Sequence, residues 1–149
     1  MTIKRILLID DDADDRELFC EALVKAAPDF MCLTAIDGGK ALSGLTSKAI
    51  EKPDLVFLDV NMPMVSGWKI LAALKSDNEL KDIPVIMYST SSFPEEVSRA
   101  TTCGALCFFS KPNDFEELTK SLKLVAAHLV ANTLPLLRHS SSVFVSLQV

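Results

Sequence analysis

Five short apolar runs recur along the chain, separated by longer segments with the residue spacing of amphipathic helices. The runs span residues 3–9, 30–36, 55–58, 84–88 and 105–109. Unbroken apolar runs of this length are typical of strands that are buried on both faces. The intervening segments span residues 12–27, 37–49, 64–76, 92–102 and 113–131. The pattern therefore predicts five strands that alternate with five helices.

The boundaries of the helical segments carry start and stop signals. Acidic residues fill the first turn of the segment 12–27, where they suit the positive end of the helix dipole. Pro94 lies near the first turn of the fourth segment, and Gly104 stops that segment. Regular strand–helix alternation implies right-handed crossovers. We therefore expect an α/β fold, a doubly wound (βα)5 parallel sheet with helices on both faces.

A chain of 149 residues has the length of one ordinary domain. The periodic pattern covers residues 1–131, and residues 132–149 break it. Pro135 interrupts the helical spacing, and the segment 143–149 alternates loosely like a strand. We expect this tail to be frayed. The alternative is that it docks on its own chain or on a second copy, which would make a homodimer.

The formal net charge is −5, and the sequence contains no basic block. Such a chain lacks the electrostatic footprint of non-specific nucleic-acid binding, so we do not expect a DNA-binding output. Only Ile6 to Ile9 are apolar without interruption before three aspartates, which is too short for a signal peptide or a membrane span. We expect a cytoplasmic protein with no membrane insertion.

The four cysteines are Cys20, Cys32, Cys103 and Cys107. They include no C-x-x-C pair, and no histidine lies at metal-ligand spacing from them. The sequence therefore favours reduced, mostly buried thiols over a disulfide or a metal site.

Polar residues follow the apolar runs at the points where the strands should end. Three acids, Asp10 to Asp12, follow the first run, and Asp59 and then Asn61 follow the third. Ser89 follows the fourth run, and Ser110-Lys111 follows the fifth. Because ligands bind beyond the carboxyl ends of the strands in an open parallel sheet, we expect these side chains to converge at one sheet edge.

A group of carboxylates at one edge needs a cation, because neighbouring carboxylates repel one another when they are ionised. Lys111 offsets one charge, and a hard divalent ion with oxygen ligands suits the rest, Mg²⁺ above all. Asp59 can act as a nucleophile on phosphorus and form an acyl phosphate. The metal and Lys111 would then neutralise the phosphoryl oxygens, to which Ser89 could donate a hydrogen bond.

These residues lie in five motifs, which resemble in order the receiver domain of two-component response regulators. The motifs are ILLIDDDADDR, VFLDVNMPMVSG, PVIMYST, CGALCFFS and the Lys111–Pro112 pair that follows it. The resemblance covers roughly residues 3–131. It implies the flavodoxin-like strand order 2-1-3-4-5 of CheY-like proteins. It also implies a stand-alone, Mg²⁺-dependent response regulator rather than an enzyme that turns over a separate substrate.

The resemblance assigns a role to each site residue. Asp59 becomes the phosphoryl acceptor, Asp11 a direct Mg²⁺ ligand, and Asp10 a ligand that acts largely through water. Asp59 also ligates the metal, together with the backbone carbonyl of Asn61. Lys111 becomes the family's lysine, which assists phosphoryl transfer.

The remaining assignments concern the switch. Ser89 and Phe108 become the switch pair, in which Ser89 moves toward the phosphoryl group and Phe108 fills the vacated space. The Lys111–Pro112 bond would be cis. The phosphoryl donor would be a sensor histidine kinase or a histidine phosphotransfer protein, and the output would be the binding of a downstream protein.

Three positions depart from the family pattern. Ser66 replaces an aspartate before Gly67, Thr90 replaces a small residue after Ser89, and Phe108 replaces the frequent tyrosine. A phenylalanine has no phenol group with which to hydrogen-bond after a rotamer change. As a simpler alternative, Phe108 is the end of a core strand.

Other functions share some of these ingredients. An aspartate-nucleophile phosphatase would need a second acid two residues after its nucleophile, and Asn61 stands there. A flavodoxin-like cofactor protein would need a phosphate-binding loop where the three aspartates lie. A degenerate receiver that binds a partner constitutively remains the alternative, although every acceptor and metal position is filled.

Overall fold

A computed structural model of the chain describes residues 3–90, 93–139 and 144–145. Its strands are β1 (Arg5–Ile9), β2 (Met31–Ala35), β3 (Leu55–Asp59), β4 (Val85–Ser89), β5 (Cys107–Ser110) and β6 (Phe144–Val145). Its helices are α1 (Ala13–Ala26), α2 (Gly38–Ser47), α3 (Gly67–Ser76), α4 (Pro94–Thr102) and α5 (Phe115–Ala131). A 3₁₀ helix spans Leu134–His139. All ten elements that the apolar pattern predicts are present.

The first five strands form a parallel sheet in the order 2-1-3-4-5, as the resemblance implied. Both faces of the central strands are buried, because their side chains alternate between two cores. In β3, Leu55 and Phe57 pack with helices α1 and α5, whereas Val56 and Leu58 pack with α2, α3 and α4. This two-sided burial explains why the strands read as continuous apolar runs.

The largest boundary difference lies at α3, which begins at Gly67 rather than near residue 64. Met64 adopts a left-handed backbone conformation with φ 69°, which a helix cannot include. The Gly67 N–H donates to the Val60 carbonyl at 3.2 Å and so closes the loop after β3. This loop holds the end of β3 against the start of α3.

The segment after α5 contacts its own chain where the structure describes it. Asn132 ends α5 in a left-handed conformation, and Leu134 and Leu137 of the 3₁₀ helix are buried in the core beside α5. Strand β6 pairs antiparallel with β5, Phe108 opposite Val145 and Phe109 opposite Phe144. Residues 140–143 and 146–149, which complete the predicted tail, lie outside the described residues.

Two predictions about covalent geometry are wrong. Cys20 and Cys32 form a disulfide, because α1 packs beside β2 and brings their Cα atoms to 5.8 Å, within bridging range. Cys107 is buried and Cys103 is exposed. The Lys111–Pro112 bond is trans, like the other peptide bonds of the described ranges. Trans is the intrinsic preference of X–Pro bonds by about 0.5–1 kcal/mol.

None of the helices within the described ranges combines the length and apolar character that a membrane crossing requires.

Candidate functional site

The carboxyl ends of four strands bring the predicted site residues to one edge of the sheet. Asp10 directly follows β1, Asp59 is the last residue of β3, and Ser89 is the last residue of β4. Lys111 follows β5, and its backbone N–H donates to the Ser89 carbonyl at 2.7 Å. The site is therefore assembled by the parallel register of the sheet.

Three carboxylates form the acidic part of this site. Oxygen atoms of Asp10, Asp11 and Asp59 all lie within 4.8 Å of one another. Asp10 is completely buried, Asp59 is 5% exposed, and Asp11 is exposed. The cluster thus opens to solvent on the side of Asp11.

Local hydrogen bonds fix the two buried carboxylates. Asp10 Oδ1 accepts from the Asp12 N–H at 2.9 Å, and Asp59 Oδ1 accepts from the Asn61 N–H at 3.1 Å. Arg16 donates to the Asp10 carbonyl oxygen at 2.8 Å, which ties α1 to the end of β1. In each carboxylate the other oxygen, Oδ2, faces the Lys111 ammonium.

Lys111 is the cation of the site. Its Nζ lies 2.9 Å from Asp15 Oδ2, 3.1 Å from Asp10 Oδ2 and 3.8 Å from Asp59 Oδ2. Burial alone would lower the pKa of the ammonium, but the hydrogen bond to Asp15 and the charges of Asp10 and Asp59 outweigh it and raise the pKa. Lys111 is therefore charged at any physiological pH.

The pKa of the Asp59 carboxyl group is strongly shifted. Burial raises the pKa of Asp59 to about 7; Lys111 and the Asn61 N–H oppose the rise, and the charge of Asp10 adds to it. The single positive charge of Lys111 therefore does not offset the burial of Asp59 and the negative charge around it. A perturbed acid in such a cluster is a common mark of a functional site.

The residues present fit the Mg²⁺ that the sequence predicts. Carboxylate oxygens are the ligands that this hard ion prefers, and the cluster offers them from Asp10, Asp11 and Asp59. A divalent cation would supply the positive charge that Lys111 alone does not. The coordination by the Asn61 backbone carbonyl stays a prediction.

The predicted switch pair lies on one face of the sheet. Ser89 is completely buried, and the Asn61 side-chain amide donates to its hydroxyl at 3.4 Å. Phe108 pairs with Met87 of β4, two residues before Ser89, so both side chains of the pair project to the same face. The Phe108 ring is fully buried, so a switching movement would begin from an inward ring.

Sequence reasoning missed two residues that contact Lys111. It treated Asp15 only as an acid of a helix start, yet its carboxylate is the closest one to the ammonium. It read Tyr88 only as part of a strand, yet Nζ lies 4.7 Å from the centre of its ring. Asp12, the third acid after β1, instead caps α1 by accepting from the Asp15 N–H.

Comparison with known proteins agrees with this geometry. The family model of the response regulator receiver domain matches residues 6–123. The chain is 29% identical to the response regulator Rcp1 of Synechocystis over 80% of this chain and 84% of Rcp1. It is 34% identical to the phosphate regulon regulator PhoB of Pseudomonas aeruginosa over 84% of this chain but only 52% of PhoB. The chain thus spans about half of some curated relatives.

Solved structures show the same likeness. The phosphorylated cyanobacterial phytochrome response regulator RcpA superposes with a TM-score of 0.80 at 29% identity, over 88% of this chain and 96% of RcpA. The Mn²⁺-bound form of Rcp1 superposes with a TM-score of 0.74 at 28% identity, over 83% of this chain and 92% of that structure. One of these relatives is thus phosphorylated and the other binds a divalent metal.

Proposed function

Because the chain belongs to the response regulator receiver domain family, we propose that it is a phosphorylation-controlled switch. Asp59 accepts a phosphoryl group in the presence of Mg²⁺, and the modified protein then binds a downstream protein. The carrying observation is a nearly buried carboxylate that shares one edge with two further acids and a lysine.

The phosphoryl donor is the phosphohistidine of a sensor kinase or of a phosphotransfer protein. A carboxylate oxygen of Asp59 attacks the phosphorus and forms a P–O bond. The P–N bond breaks, and the imidazole nitrogen keeps its electron pair and takes up a proton. The product is an acyl phosphate on Asp59.

The chain's own residues position and stabilise the transferred group. Lys111 lies 3.8 Å from Asp59 and carries the charge that pairs with a phosphoryl oxygen. Ser89 lies at the same edge of the sheet, at the end of β4, and its hydroxyl donates to another phosphoryl oxygen. Asp10, Asp11 and Asp59 would hold a divalent metal, which would help to neutralise charge on the phosphoryl oxygens.

The protein therefore modifies itself and does not turn over a separate substrate. We place it in the cytoplasm, where histidine kinases present their phosphoryl groups, and we assign it a protein partner rather than a nucleic acid. The net charge of −5 supports the second assignment.

Intact-mass analysis after incubation with acetyl phosphate tests the acceptor. We expect a single phosphoryl adduct that requires Mg²⁺ in the parent protein and is absent in Asp59→Asn. Asp29→Asn, a change at an exposed turn residue, is the matched control and should form the adduct like the parent. A folded parent that forms no adduct with Mg²⁺ present would favour the constitutive binding module.

Ser89→Ala should separate phosphorylation from switching. The variant keeps Lys111 and the three acids Asp10, Asp11 and Asp59, so we expect the adduct to form. We expect the backbone amide shift changes of α4 and β5, measured by NMR on phosphorylation, to fall to less than half of those in the parent. Ser110→Ala, at the position in register on β5, is the control. Undiminished shift changes in Ser89→Ala would exclude Ser89 as the switch residue.

A further inference from the structure

The Lys111 ammonium is shared unequally among the carboxylates around it. Asp15 and Asp10 lie within hydrogen-bond distance of Nζ, at 2.9 and 3.1 Å. The acceptor Asp59 is farther away, at 3.8 Å, beyond the usual range of a hydrogen bond. In this state the lysine is thus bound mainly to acids other than the one that receives the phosphoryl group.

The position of Asp15 follows from the start of α1. Asp12 caps this helix, and its carboxylate accepts the Asp15 N–H at 3.1 Å. The cap fixes the first turn, from which the Asp15 side chain reaches Lys111. The Asp15 side chain is 34% exposed, whereas that of Asp10 is fully buried. Asp15 is therefore the partner that the lysine can leave at the smaller cost.

We propose that Asp15 is a positioning residue that holds Lys111 in the unphosphorylated state and competes with the phosphoryl group for it. This inference rests on the proposed function, because it assumes that Lys111 turns to a phosphoryl oxygen. A phosphoryl group on Asp59 then draws the ammonium away from Asp15. Asp15 thereby weakens the affinity of the site for the phosphoryl group and biases the protein toward its resting state.

Two physical effects of Asp15→Asn act in the same direction. The amide is neutral, so it holds the ammonium less strongly than the carboxylate does. The substitution also removes a negative charge from the surroundings of an incoming anion. Both effects favour the bound anion. Because the Asp15–Lys111 ion pair is partly exposed, we expect them to raise the affinity for the anion about three- to fivefold.

Calorimetric titration with beryllofluoride, a phosphoryl mimic, in the presence of Mg²⁺ measures this effect. We expect the Kd to fall about three- to fivefold in Asp15→Asn. Asp14→Asn removes the same charge from the neighbouring, exposed position and should change the Kd less than twofold. Asp15→Glu, which restores the charge, should return the Kd toward the parent value. An unchanged or higher Kd in Asp15→Asn overturns the proposal.

The NMR signal of the Lys111 Cε methylene provides a readout that a merely structural role would not produce. Lys111→Arg, which lacks this signal, assigns it. We expect the signal to differ between the parent and Asp15→Asn in the unliganded state and to coincide in the beryllofluoride complex, where the lysine has left Asp15. A difference that persists undiminished in the complex contradicts competition.

The acetyl phosphate experiment distinguishes failure of the proposed function from failure of the role of Asp15 alone. A parent that binds no beryllofluoride and forms no adduct would overturn the proposed function and this inference together. A parent that does both, with no tighter binding in Asp15→Asn, would overturn the role of Asp15 alone.

Discussion

Asp59→Asn is expected to stabilise the metal-free protein at pH 8 although it removes the proposed phosphoryl acceptor. Burial raises the pKa of Asp59 from its ordinary value of 3.8 to about 7, so folding at pH 8 keeps a carboxylate ionised in an environment that opposes its charge. The neutral amide avoids this cost. Each pKa unit corresponds to about 1.4 kcal/mol, so we expect a gain on the order of 2–4 kcal/mol in the free energy of unfolding.

The pH dependence follows from the same shift. Because the folded-state pKa lies above the unfolded one, the favourable contribution of protonated Asp59 is complete below about pH 4 and is lost as the pH rises through about 7. The stability difference between Asp59→Asn and the parent should thus be near zero at pH 4 and reach its full value above pH 7. Mg²⁺ should reduce the difference at pH 8, because the ion stabilises only a site that retains its carboxylate.

Urea unfolding at several pH values, with EDTA or with Mg²⁺, measures these differences. Asp29→Asn removes an exposed carboxylate and should match the parent within about 0.5 kcal/mol. If Asp59→Asn is less stable than the parent at pH 8 without metal, the carboxylate is not strained by its surroundings. The electrostatic argument for a divalent cation at this site would then fail.

The alternation of strands and helices and the position of most site residues could be predicted because both follow from local pattern, whereas the strand order came from the family resemblance. A strand that is buried on both faces reads as an apolar run, and the residue after the run lies at the carboxyl edge. This rule placed four residues at one edge of the sheet without any knowledge of contacts, namely Asp10, Asp59, Ser89 and Lys111. The expectation of a divalent cation followed from the sum of their charges.

Features that depend on the packing of separate elements could not be predicted in the same way. The Cys20–Cys32 disulfide requires that α1 lie against β2, and no spacing rule encodes that distance. The contact of Asp15 depends on the direction of the Lys111 side chain, and Lys111 lies 96 positions further along the chain, just after β5. In the sequence, Asp15 is indistinguishable from any acid in a first helical turn.

The second large effect is expected for Gly67→Ala, which should destabilise the protein by about 3 kcal/mol, the upper end for an overpacked core site. A Cβ at residue 67 would overlap the Asp59 carbonyl oxygen and crowd the Val60 Cα. Both obstacles are backbone, so no side-chain rotation relieves them. The loop after β3 would have to open, and the hydrogen bond from the Gly67 N–H to the Val60 carbonyl would weaken.

Gly39→Ala is the matched control, because it makes the same change near the start of another helix. Its Cβ would meet only Asp37 Oδ1 at 3.5 Å, an ordinary contact. This variant should be neutral or more stable by up to about 1 kcal/mol, since alanine loses less backbone entropy than glycine on folding. Urea unfolding of both variants measures the contrast. Equal stabilities would show that the loop after β3 yields without cost.

The consequence for function depends on which atoms move. The crowded carbonyl belongs to Asp59 itself, so a shift of the loop moves the acceptor relative to Lys111, which is anchored separately to β4. We therefore expect Gly67→Ala to form the phosphoryl adduct at least tenfold more slowly than Gly39→Ala under conditions where both variants are folded. The reason is that small misplacements of reacting groups lower a reaction rate by about that factor or more. Slower phosphorylation with unchanged stability would also show that the substitution acts by displacing Asp59. Lost stability with an unchanged phosphorylation rate would show that Asp59 keeps its place while the loop is deformed elsewhere.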